Sequence, residues 1–259
     1  MADVSRRRRA LQAVAIALAI LLPSGCAAIA WMRVATDDDV PSQSRGTVGH
    51  GQLLHGHALP PWGRGYRTAS MVIAALGRQY LHGDVRDSLV AAFAARASAD
   101  PGRVHVVGET ALRRGGRFNG HRTHQNGLSV DLFMPVRNAR GDRTTLPTWP
   151  WNAFGYWWEF DAAGHARRLQ IDFEELAAVL LAIRDQAARH DLSIERVIIA
   201  PEYVPLLLAA PSGQRLGALG DRLTRKPVWV RHDEHVHIDF RVTHHGLPSP
   251  PDASAPHAE

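Results

Sequence analysis

The chain has one cysteine, Cys26, and one lysine, Lys226, among its 259 residues. A single thiol excludes any intrachain disulfide, so packing alone must hold the fold. Almost all of the positive charge is arginine, scattered rather than gathered into a stripe interleaved with aromatics, and the usual footprint of nucleic-acid binding is missing. No nucleic-acid partner is expected. The net charge of +5 is itself uneven: Arg6 to Arg9 against Asp3 give +3, which leaves +2 for the remainder. There is no internal repeat, which excludes solenoids and propellers. The apolar share of 45% is ordinary, so a conventional core can form. The sequence indicates no oligomeric state.

What stands out first is the N-terminus. Four arginines, Arg6 to Arg9, precede an apolar run from Ala10 to Met32 that is long enough to cross a bilayer as a helix. The arginines stay cytoplasmic by the positive-inside rule, so everything after Arg33 is expected across the membrane. Three readings are open: an uncleaved membrane anchor, a lipidated Cys26, or a cleaved signal peptide. Leu22-Pro23-Ser24-Gly25-Cys26 is like a lipoprotein signal, but Pro23 stands where that pattern wants an aliphatic residue. Residues 1–34 are therefore read as a signal or anchor segment, 35–46 as a polar linker and 47–243 as one domain. The proline-rich 244–259 is read as a disordered tail.

Inside the domain, helical spacing is expected over Ser70 to Tyr80 and Asp87 to Ala97. A clearer helix starts at Asp172, with Glu175 as its capping-box partner, and ends near His190. Strands are expected at Arg103 to Val107, Gly127 to Pro135, Arg196 to Ile199 and from His235 onward. Helices and strands do not alternate regularly. The pattern favours an α+β domain with a central, mainly antiparallel sheet flanked by helices.

Chemistry concentrates in two stretches, His121-Arg-Thr-His124-Gln-Asn-Gly127-Leu-Ser-Val-Asp131 and His232-Asp-Glu234-His235-Val-His237. Two imidazoles, a carboxylate and a distant third imidazole are a plausible zinc set with one position left for water. Strand parity sets Leu128, Val130, Leu132 and Met134 on one face and Asp131 on the other. It likewise sets His235, His237 and Asp239 opposite Val236, Ile238 and Phe240. His235 and His237 lie about 6–7 Å apart along one face, which suits one ligand and one catalytic group.

The run Gly115-Gly-Arg-Phe-Asn-Gly-His-Arg-Thr-His-Gln-Asn-Gly-Leu-Ser-Val-Asp-Leu-Phe133, with the late His-x-x-His-x-His, resembles the penicillin-insensitive murein endopeptidases. These belong to the wider group of lysostaphin-type, D-Ala-D-Ala and hedgehog-like zinc folds. The resemblance implies one zinc ion held by His124, Asp131 and His237, with His121 as a fourth or alternative ligand, and His232 and His235 lining the site. It implies hydrolysis of peptidoglycan cross-links of the D-alanyl to diaminopimelyl type, with stem peptides as substrate. A D-Ala-D-Ala carboxypeptidase-like enzyme and a non-catalytic zinc-containing wall-binding module are the alternatives. His235 is the first choice of base, because an imidazole can take the water proton and pass one to the leaving amine. His232 is expected to stabilise the oxyanion or orient the substrate. Glu234 is the rival base, reachable only if the chain is not yet a regular strand there. Trp149, Trp151, Tyr156, Trp157 and Trp158 could equally wall a groove or fill the core.

Overall fold

The computed structural model describes residues 24–117, 121–148, 152, 156–226 and 230–243. Most of the apolar run at the N-terminus, the tail from 244, Trp149 and Trp151 lie outside the described residues. Residues 24–35 form a helix, α1. Its Ala30 is buried, its Trp31 ring packs edge-on against Trp62 at 5.3 Å, and Gln79 Nε2 donates to the Ala30 carbonyl at 3.1 Å. Among the described residues no helix is long and apolar enough to cross a membrane.

The chain then runs β1 (Gln43–Thr47), β2 (His50–Leu54), β3 (His57–Ala58), β4 (Trp62–Gly63), β5 (Tyr66–Thr68), α2 (Met71–Ala75), β6 (Tyr80–Leu81) and α3 (Gly83–Ala99). It continues through β7 (His105–Val107), β8 (Ser129–Phe133), β9 (Val136–Asn138), β10 (Arg143–Thr144), β11 (His165–Ala166) and β12 (Leu169–Ile171). Last come α4 (Phe173–Ala187), β13 (Leu192–Ile198), α5 (Tyr203–Ala209) and β14 (His235–Val242). The fold is α+β. A six-stranded sheet in the order β13-β14-β8-β7-β5-β4 is antiparallel except between β5 and β7, and a four-stranded sheet β10-β9-β12-β11 is antiparallel throughout.

The centre of the large sheet follows from alternation. Val130 and Leu132 on β8 and Val236, Ile238 and Phe240 on β14 join one apolar core with Leu176, Val179, Leu180 and Ile183 of α4 and Leu89 and Phe93 of α3. Each such side chain contributes about 1.5–3 kcal/mol on burial. The opposite parity carries Ser129, Asp131, His235, His237 and Asp239, which is how one strand pair serves both core and site.

Several boundaries depart from the expectations. The stretch read as a linker contributes β1, a polar strand held by backbone pairing to β2 rather than by a buried face. The helix expected over Ser70 to Tyr80 is only α2, because Ser70 caps it (Ile73 N to Oγ, 3.4 Å) and the chain turns at Gly77, φ +80°. Asp172 does cap α4, accepting from Glu175 N at 3.2 Å. The Glu175 carboxylate does not close a capping box, since Arg96 holds it at 3.1 and 2.7 Å.

Candidate metal centre

The loop 121–127 delivers two histidines to the end of β8, and the β1–β2 hairpin clamps it. Ser44 Oγ donates to the Asn126 carbonyl at 2.7 Å, and Gln125 N donates to the Val48 carbonyl at 2.9 Å. Gly127 has φ +76°, and a Cβ there would lie 2.7 Å from Leu53 and 2.9 Å from the His82 amide, so only glycine permits this approach. His124 also sits in the left-handed region, φ +69°, at a cost of about 1 kcal/mol that the surrounding loop must offset.

Register supplies the remaining partners. His237 lies directly across from Asp131 and His235 across from Phe133, so the same-face residues of β8 and β14 meet. Donor atoms of His121, His124 and Asp131 all lie within 4.8 Å of one another. The His124 ring is perpendicular to those of His121 and His237, at 4.9 and 4.7 Å. His124 Nε2 is 3.3 Å from Asp131 Oδ1, and His237 Nδ1 donates to the same oxygen at 2.8 Å. Two ligands about 2.1 Å from one tetrahedral ion are themselves about 3.4 Å apart, so the His124–Asp131 spacing suits a shared zinc ion. The donor set, two imidazoles and a carboxylate with a third imidazole alongside, fits the metal that the sequence implied.

Carboxylates outside the motifs orient this set. Glu109 accepts a short hydrogen bond from His121 Nε2 and is itself held by Arg78 Nη1 at 2.7 Å. His237 Nε2 donates to Asp239 Oδ1 at 2.7 Å, and Asp239 also accepts from Ser129 Oγ at 2.7 Å and from Arg196 Nε and Nη2 at 2.9 and 2.5 Å. Burial pulls the His237 pKa down, yet bonds to Asp131 and Asp239 outweigh it and raise it to about 9. Burial works against the Asp131 charge, but His124 and His237 hold it ionised, well below the usual carboxylate range.

The model of the penicillin-insensitive murein endopeptidases matches residues 44–249, the two histidine stretches and all of the sheet included. The chain belongs to that family. Murein endopeptidases so named from Klebsiella pneumoniae (strain 342) and Escherichia coli (strain SE11) are 31% and 30% identical over 132 and 129 residues. These alignments cover 50% and 49% of this chain and 46% of each relative, so the chain spans about half the length of the curated relatives it matches.

In this family member the late cluster straddles the start of the last strand. β14 begins at His235, so His232 and Glu234 precede the strand and parity does not govern them. His235 is buried among Phe133, Tyr156 and His232, with ring centroids at 6.0, 5.7 and 5.2 Å. Desolvation lowers its pKa, with His237 and His121 adding to the effect against Asp131. His232 is lowered to about 4 by burial and then by His235. Its Nδ1 donates to the Val230 carbonyl at 2.9 Å, so the neutral ring carries its proton there and Nε2 is an acceptor. Glu234 is buried and raised to about 7 by desolvation. Its Oε2 accepts from Asn152 Nδ2 and Trp158 N, both at 3.0 Å. Of the tryptophan-rich stretch, Tyr156 and Trp157 are exposed, Trp158 packs against the core, and Glu234 ties the stretch to the site.

Proposed function

We propose that the chain is a zinc peptidase that hydrolyses peptide cross-links of peptidoglycan, of the D-alanyl to diaminopimelyl type. The observation that carries this reading is the convergence of His121, His124 and Asp131 donor atoms within 4.8 Å, beside two imidazoles, His232 and His235, whose pKa values are lowered. His124 and Asp131 would hold the ion, with His121 and His237, which flank His124, completing the set, His237 giving up on metal binding the Nδ1 proton it shares with Asp131. When bound, zinc lowers the pKa of its water towards about 7 and polarises a carbonyl oxygen.

The side chains supply the rest. Burial keeps His235 unprotonated near neutral pH, so its ring can take the proton of the attacking water and return one to the leaving amine. His232, holding its proton at Nδ1, is better suited to accept a hydrogen bond from a substrate amide than to donate one to an oxyanion. Its role here is therefore substrate orientation. Asp239 and Glu109 hold His237 and His121 in place.

Such a substrate requires the domain to lie outside the cytoplasm, and the basic and apolar N-terminal segment would export or anchor it. A carboxypeptidase-like enzyme would use the same ligands on a terminal D-alanine. Mass analysis of products from purified cross-linked muropeptide dimers separates the two. Conversion of dimers to monomers supports the endopeptidase; loss of only a terminal alanine overturns it. His124→Ala should abolish both the conversion and the bound zinc.

A further inference from the structure

Tyr156 stands over the candidate site without an assignment. Its ring meets His235 edge-on at 5.7 Å, yet the residue is 53% exposed. One side of the phenol meets His235 and the rest of the residue is open to solvent. Among the described residues nothing accepts a hydrogen bond from its hydroxyl. Desolvation, reinforced by the charges of Asp131, Glu109 and Glu234, raises its pKa to about 12, so the oxygen keeps its proton across the working pH range. A protonated hydroxyl with no acceptor of its own among the described residues is a donor awaiting a partner.

The mount is as specific as the ring. Glu234 Oε2 accepts from both Asn152 Nδ2 and Trp158 N, while Asn152 Oδ1 accepts from Trp157 N at 3.0 Å. One carboxylate of the late histidine motif therefore fixes the chain on both sides of Tyr156. Oε2 is thus spent on the loop, while Oε1 has no hydrogen-bond partner among the described residues, and the variants below separate a mount from a base.

We propose that Tyr156 is a substrate-contacting residue whose hydroxyl donates a hydrogen bond to the oxygen of the scissile carbonyl as negative charge develops on it, and that Glu234 is the positioning residue that holds Tyr156 over His235. No bond to Tyr156 forms or breaks; the phenol keeps its proton, and the water proton goes to His235. The assignment rests on the peptidase reading above. It also fills the place left by His232, whose Nδ1 proton is committed to the Val230 carbonyl.

The test compares Tyr156→Phe, Tyr156→Ala, Glu234→Gln and Glu234→Ala with the zinc-loaded full chain, on cross-linked muropeptide dimers. Tyr156→Phe should lower kcat about 100-fold and leave KM within about threefold, the pattern of a contact made in the transition state. Tyr156→Ala should be no slower than Tyr156→Phe by more than about threefold. Glu234→Gln keeps an acceptor for Asn152 and Trp158 and should retain kcat within about threefold. Glu234→Ala should fall towards Tyr156→Phe, and adding Tyr156→Phe to it should cost little more. Full activity in Tyr156→Phe with loss only in Tyr156→Ala would make the ring a wall and overturn the donor role. A Glu234→Gln variant as dead as Glu234→Ala would make Glu234 the base and overturn the mount. Circular dichroism of each variant identifies any that fail to fold, and the paired substitution at the same position then decides. A wild-type chain that cleaves nothing overturns the peptidase reading and this assignment together.

Discussion

Glu234→Gln should make the domain more stable in mild alkali and leave it unchanged in acid. Glu234 is only 2% exposed, and its Oε1 has no hydrogen-bond partner among the described residues. Burial raises its pKa from 4.5 to about 7. The folded state therefore keeps a proton that the unfolded chain gives up, so the group's contribution is full below about pH 4.5 and is lost as pH rises through 7. A difference of this size corresponds to about 3 kcal/mol between the two ends of the window. Glutamine cannot ionise, accepts the same bonds from Asn152 and Trp158, and escapes the loss. Urea unfolding at pH 4.5 and pH 8.5, at matched zinc content, should show a variant equal to wild type in acid and about 3 kcal/mol more stable in alkali. In thermal melts the alkaline gap should be about 6–12 °C, at about 2–4 °C per kcal/mol for a domain of this size. Equal stabilities at both pH values, or a variant weaker at pH 8.5, would refute the reasoning.

Other outcomes follow from the same geometry. If His235 is the base, the acid limb of kcat/KM should fall below pH 6.5, because burial depresses its pKa and activity is lost only as the ring protonates; a limb near pH 7 would contradict that assignment. Glu109→Ala and Asp239→Asn should each weaken zinc binding about 10–100-fold, measured by chelator competition, since they orient His121 and His237. Asp172→Ala removes the α4 cap and leaves Arg103, 4% exposed and paired to it at 2.9 Å, short of a partner; a loss of about 3–5 kcal/mol by urea unfolding is expected.

Alternation made the middle of the fold readable. Val130 and Leu132 against Asp131, and Val236 and Ile238 against His237, separate core from site in the sequence itself, and the two strands then pair with Asp131 opposite His237. The pairing of these strands is a long-range choice that no local pattern encodes. For the same reason Glu109, Arg78 and Arg196 escaped notice: Glu109 meets His121 and Arg78, and Arg196 meets Asp239, through the tertiary fold rather than through sequence spacing. Glu175 misled because a capping-box spacing is local, whereas Arg96 of α3, available only after α3 and α4 pack, attracts its carboxylate more strongly. Parity left the place of Glu234 open, and β14, beginning at His235, leaves it just ahead of the strand.

The most direct test of the central claim is digestion of purified cross-linked muropeptide dimers by the full chain before chelation, after chelation, and after zinc is restored. The account predicts conversion of dimers to monomers that stops when the metal is removed and returns with about one equivalent of zinc. Conversion that proceeds unchanged in excess chelator, with metal analysis showing no bound ion, would contradict it.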